Sequence, residues 1–173
     1  MDPINILSCN NLDARHVLMW DYDVKFSLTK DVEKLKQLKQ LAEEEKLDII
    51  ILQTGDGIHL VDFYLRTFEE TNRLQARLSS LFPSDYPTIS QVKEEDEEQG
   101  QRFLGCTLRI SPKDNDEAPK YLYRTCAKDI TGNSQYSVGH VETYNLMLNT
   151  DVTPFRGSPV STEVQLASWL DQK

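Results

Sequence analysis

The chain has 173 residues, of which 39% are hydrophobic and 27% charged, with a formal net charge of -9. These values describe one globular domain and leave no room for two. The acidic balance excludes a protein whose main task is coating nucleic acid, because phosphate neutralisation needs a surplus of Lys and Arg, although local basic grooves stay open to it. No stretch approaches the roughly 20 apolar residues that cross a bilayer, and the start MDPINILSCNN lacks the basic-then-apolar profile of a signal peptide, so no membrane partner and a cytoplasmic location are expected. Cys9, Cys106 and Cys126 form no CxxC pair, which argues against a disulfide framework or zinc ribbon and for buried or free thiols. A set of Cys106, Cys126 and His140 matches no zinc-ligand spacing.

In chain order, residues 14–23 (ARHVLMWDYD) read as a strand buried on both faces, because Val17 to Trp20 is an unbroken apolar run. Residues 31–46 place Val32, Leu35, Leu38 and Leu41 on one helical stripe, with Thr29 or Asp31 as cap. Residues 47–52 (LDIIIL) form a second buried strand, joined through the turn QTGDG to a third at 58–63. Leu65, Phe68, Leu74, Leu78 and Leu81 give a helix over 64–81, stopped by Pro83 and Pro87.

A polar loop over 84–101 is expected to carry the acidic run Glu94, Glu95, Asp96, Glu97 and Glu98, read as a solvated segment. Strands follow at 103–111 and 121–125, with a Pro- and Asp-rich turn between them, and then a helix at 137–149. Residues 1–150 make a single domain, and 151–173 make a peripheral tail ending in a short helix. The alternation of strands and helices gives an α+β (or two-layer α/β) fold.

Three groups of residues stand out for chemistry. Asp21 and Asp23 lie two apart at a strand end, so both carboxylates project from one side, where oxygen-only ligation suits Mg²⁺ or Mn²⁺ bound to substrate phosphates. The plain alternative is that they open a loop. In Thr54-Gly55-Asp56-Gly57-Ile58-His59, two glycines permit close backbone approach to a phosphate and His59 enters a strand where it can face a ligand, or else serve as a hydrogen-bonded core residue. In TLRISPK, Arg109 and Ser111 share a strand face with Lys113 just beyond, and Arg with Lys clamps a triphosphate.

Taken in order, the DYD strand end, the TGDGIH hairpin and RISPK resemble the archaeo-eukaryotic primase superfamily, in particular the small primase-polymerase domains of phages and plasmids. The resemblance spans residues 17–113. It implies an RNA-recognition-motif-like palm, in which Asp21 and Asp23 hold catalytic Mg²⁺ or Mn²⁺ and His59 contacts the incoming nucleotide. Arg109 and Lys113, with Ser111, contact its phosphates, and the Thr54, Gly55 and Gly57 turn lets it approach. A third catalytic metal-binding acid is implied between the histidine and the basic strand. Asp85 in FPSDYP takes that place, with Asp62 or an acid of the 94–98 run as alternatives.

The function so implied is DNA primase or polymerase activity, that is, template-directed nucleotidyl transfer by two metal ions in replication of a phage, plasmid or other mobile element. Nucleoside triphosphates, a single-stranded DNA template and a helicase or accessory replication subunit are its expected partners. Two other readings stay open. A signalling nucleotide cyclase-like palm would use Asp56 and could spare His59. A non-enzymatic acidic interaction protein would use the 94–98 run.

Overall fold

The computed structural model describes residues 6–10, 15–27, 29–103, 105–111, 119–125 and 135–148. The elements in chain order are β1 (Ile6–Ser8), β2 (His16–Tyr22), α1 (Val32–Glu45), β3 (Ile50–Gln53) and β4 (Ile58–Arg66), then α2 (Phe68–Leu81), α3 (Ile89–Glu98), β5 (Thr107–Arg109), β6 (Lys120–Arg124) and α4 (Val138–Leu148). The fold is α+β. Its main sheet is antiparallel with order β2-β4-β3-β6, and β1 pairs with β5 in a separate two-stranded ribbon. None of the described helices is long and apolar enough to cross a membrane.

Residues alternate across a strand, and both faces of this sheet are covered. On one face Leu18, Trp20, Ile51, Leu60 and Tyr123 meet Leu35, Leu38 and Leu41 of α1 and Leu74 and Leu78 of α2. On the other, Val17, Met19, Ile50, Leu52, Val61 and Phe63 meet Cys9, Leu108 and Ile110 from the ribbon and its flanks, Ile89 of α3, and Val141 and Tyr144 of α4. This double coverage explains why β2 and β3 carry unbroken apolar runs rather than an alternating pattern. The sheet contains one split β-α-β unit: β2, α1 and β3, with β4 inserted between the two strands. The strand after α2 and α3 is β5, which joins the ribbon, so no second split unit forms and β6 lies at the edge beside β3.

Several elements differ from the sequence expectation, each for a local reason. The acidic run lies on helix α3 and not in a loop. Thr88 caps that helix by accepting the Gln91 N–H, while Gln91 accepts the Thr88 N–H, and only Ile89 is buried. Residues 64–66 continue strand β4, and α2 starts after Thr67, whose side chain accepts the Glu70 N–H. Asp31 occupies the N-cap position of α1, but its carboxylate accepts the Ser27 N–H instead of capping, and Thr29 is exposed. Strand β5 is only Thr107–Arg109, and β1 was not expected at all. The turn at 112–118, Cys126 and the tail at 151–173 lie outside the described residues.

A buried ionic cluster anchors the end of the sheet where β4 finishes. Asp62 is fully buried; its carboxylate accepts from the Asp48 N–H at 3.1 Å, the Tyr64 N–H at 2.9 Å and the Arg66 guanidinium at 3.1 Å. Asp48 in turn accepts from buried Arg124 at 2.9 and 3.4 Å. Burial pushes the Asp62 carboxyl above its usual range, against the pull of Arg66 and of the two backbone donors.

Candidate functional site

The opposite end of β2 and β4 brings two of the sequence-predicted residues together. Asp21 and His59 are directly opposed in the β2–β4 register, with His59 Nε2 3.6 Å from Asp21 Oδ1. Both belong to the strand phase of Met19 and Val61, so they share the face covered by the ribbon and α4. At 3.6 Å the pair is beyond hydrogen-bond length but within ion-pair distance. The Asp21 side chain is 26% exposed, while its Oδ1, the atom that faces His59, is buried.

His59 is the buried partner, 6% exposed, and its Nδ1 has no hydrogen-bond partner among the described residues. Burial pulls the imidazole down to about 4, against the opposing field of Asp23, so the ring is neutral at pH 7. An unpaired buried ring nitrogen costs about 1–3 kcal/mol, which a ligand atom placed there would recover. Asp23 lies one residue beyond β2 and is exposed, so strand alternation no longer dictates its direction.

The TGDG turn is closed by its own atoms. Thr54 N–H donates to the Gly57 carbonyl at 2.8 Å, and Gly57 N–H donates to Thr54 Oγ1 at 2.9 Å. The Gly57 amide is therefore already engaged. A Cβ at Gly57 would sit 1.9 Å from the Tyr22 carbonyl oxygen, so this glycine permits close packing of the hairpin on the end of β2, and that packing holds Asp21 opposite His59. Gly55 and Asp56 are exposed at the tip.

The remaining candidates lie apart from this pair. Asp85 is exposed in the α2–α3 connection, where its neighbour Tyr86 packs edge-on against Trp20 at 5.4 Å between centroids. Asp62 belongs to the strand phase of Leu60, on the opposite face from His59, with its oxygens taken by Arg66 and two backbone donors. It does not fit as the third acid. Of the 94–98 acids on α3, Glu94, Glu95, Glu97 and Glu98 are exposed and Asp96 is half-buried. Among the described residues no three His, Cys, Asp or Glu side chains are grouped to hold a metal ion, so Asp21, Asp23 and Asp85 are not gathered into one ligand set.

Arg109 is half-buried on β5, opposite Ile6 and out of phase with Leu108 and Ile110, whose side chains pack toward the sheet. Ser111 is buried, but beyond the end of β5, so the shared strand face expected for Arg109 and Ser111 does not form. Lys113 lies outside the described residues. One residue on this face escaped the sequence reading. Tyr121 of β6 pairs with Leu52, which pairs with His59, so Asp21, His59, Leu52 and Tyr121 form one row across four strands. Strand alternation in YLYRT was the available signal, but it names a row only once strand order is known.

Comparison of the chain with protein-family models, with curated proteins and with solved structures finds no match.

Proposed function

We propose that the chain is a metal-dependent nucleotidyltransferase of the primase-polymerase kind, which extends a 3′ hydroxyl on a single-stranded DNA template using nucleoside triphosphates. The observation that carries this reading is the in-register Asp21–His59 pair at an open strand end, with Asp23 beside it. Asp21 and Asp23 would hold Mg²⁺ or Mn²⁺, since Asp23 is exposed, the Asp21 side chain is 26% exposed, and such ions take one or two protein carboxylates with substrate phosphates supplying further oxygens. An ion held there supplies neutralising charge for the triphosphate and acidifies the attacking hydroxyl.

The chain's own contribution is positioning. Neutral His59 offers one N–H and one lone pair, and its unpartnered Nδ1 is completed by an oxygen of the nucleotide. Asp85 as a third acid, and Arg109, Ser111 and Lys113 as phosphate contacts, belong to the same proposal. They rest on the resemblance, and the Thr54–Gly57 turn contributes by fixing the pair rather than by cradling phosphate. The split β-α-β unit with α1 and α2 on one face supports a palm of the RNA-recognition-motif type; β6 at the edge beside β3 is this chain's own variation. Replication of a phage, plasmid or other mobile element beside a helicase or accessory subunit completes the reading.

Calorimetric titration with a nucleoside triphosphate in Mn²⁺ tests the site. The expected result is metal-dependent binding that Asp21→Ala with Asp23→Ala removes. His59→Gln should weaken it roughly 10-fold or more, the loss of one hydrogen bond to a charged group. Equal affinity in the presence and absence of both carboxylates would sink the assignment.

A further inference from the structure

Cys9 and Cys106 continue the β1–β5 ladder. The register runs Ile6 opposite Arg109, Leu7 opposite Leu108 and Ser8 opposite Thr107, so the next facing pair is Cys9 and Cys106, and Cys9 N–H donates to the Cys106 carbonyl at 2.8 Å. Directly opposed residues of an antiparallel ladder have Cα atoms about 4.5–5.5 Å apart, inside the range of about 4.4–6.8 Å that a disulfide spans. Both thiols are free and buried, with Cys9 0% and Cys106 2% exposed. Beyond them Gly105, at φ 77°, lies against the Asn10 side chain, so the ladder closes at this pair.

We propose that Cys9 and Cys106 are a redox pair, joined as a reversible disulfide that fastens β1 to β5. This inference does not rest on the proposed nucleotidyl transfer. The two sulfurs have different partners. Cys9 Sγ donates to Asn10 Oδ1 at 3.6 Å, while Cys106 Sγ donates to the Pro87 carbonyl at 3.5 Å and accepts from the Gln75 side-chain N–H at 3.6 Å. Either sulfur can attack first, and the other then resolves the intermediate.

With a small peroxide as oxidant, the thiolate of one cysteine attacks one peroxide oxygen, the O–O bond breaks, and sulfenic acid and hydroxide form, the hydroxide leaving as water with the proton the thiol gave up. The sulfur of the second cysteine then attacks the sulfenic sulfur, the S–O bond breaks, and the hydroxyl leaves as a second water with the second thiol's proton. Two thiols lose two electrons and one peroxide gains them. Since the ribbon holds only three strand pairs, local opening admits the oxidant without unfolding the main sheet.

The test treats the whole protein with hydrogen peroxide, blocks remaining thiols under denaturing conditions and maps tryptic peptides. Residues 1–15, 103–109 and 125–128 each carry one of the three cysteines on a separate peptide. The expected result is a linked 1–15/103–109 pair, about 2 Da lighter than its two thiol forms together, cleaved by dithiothreitol, with Cys126 still alkylated. Closing a loop of about 100 residues should raise the melting temperature by roughly 5–10 °C, and Cys9→Ala should abolish both changes. Linkage through Cys126, sulfinic acid at Cys106 with no linked peptide, or a cross-linked protein that melts lower would each overturn the proposal.

Discussion

Replacing Gly57 by alanine tests how the hairpin positions the site. The added methyl would lie 1.9 Å from the Tyr22 carbonyl oxygen and 2.9 Å from its carbon, about 1.5 Å short of ordinary contact at 3.4 Å. The obstacle is backbone in a paired strand, so no side-chain rotation relieves it. The hairpin must retreat from β2, loosening the Tyr22–Ile58 and Asp21–His59 pairs together. Overpacking of this kind costs about 1–3 kcal/mol, and the rigid neighbour places Gly57→Ala near the upper end, a large part of a typical total of about 5–15 kcal/mol. Gly139→Ala is the matched control: it lies in α4 with nothing within 4 Å of its added methyl, and should stabilise by up to about 1 kcal/mol. Urea unfolding of the three proteins measures both values. If the turn acts through alignment, Gly57→Ala also lowers turnover about 100-fold under conditions where it is still folded. A Gly57→Ala protein within about 0.5 kcal/mol of the parent would refute the packing argument.

Other perturbations address separate parts of the molecule. Arg124→Met keeps much of the side-chain volume but strands the Asp48 carboxylate in the interior, an expected loss of about 3–5 kcal/mol that Asp48→Asn in the same chain partly restores; a loss under about 1 kcal/mol in urea unfolding would contradict a tight buried pair. Lys46 ends α1 in the left-handed region at φ 57°, so Lys46→Gly should raise stability by up to about 1 kcal/mol, and a fall would show that its side chain does more than end the helix. His59 is lowered to about 4 against an ordinary 6.5, so the unfolded chain takes up the proton first as pH falls. Its stability contribution is complete above 6.5 and declines between 6.5 and about 4, a slope that His59→Gln removes; an NMR titration midpoint above 6 would refute the buried neutral ring.

What the sequence made legible follows from which signals are local. The apolar run Val17 to Trp20 identified β2 because a strand covered on both faces cannot alternate, and the leucine stripes of α1 and α2 face the sheet as their spacing predicts. Helix α3 was hidden by its charge, although Glu, Gln and Lys are good helix formers and Thr88-x-x-Gln91 is a capping signature. The same local signal at Thr67-x-x-Glu70 marks the true start of α2. In the site, Asp21 and His59 were recognisable as residue types, but their opposition depends on β2–β4 register, and the role of Gly57 depends on the Tyr22 carbonyl 35 positions earlier. The Asp48–Arg124 pair joins residues 76 apart in sequence, and no periodicity reports burial of that kind.

Product formation on single-stranded DNA tests the central claim most directly. The protein is incubated with Mn²⁺ or Mg²⁺ and labelled nucleoside triphosphates, with and without a primer, beside the Asp21→Ala/Asp23→Ala protein, and products are resolved by length on a gel. Nucleotidyl transfer predicts metal-dependent oligonucleotides that disappear in the double variant while its folded signal persists. Products of unchanged length and yield from the double variant, or none from the parent protein with any metal, template or primer, would contradict it.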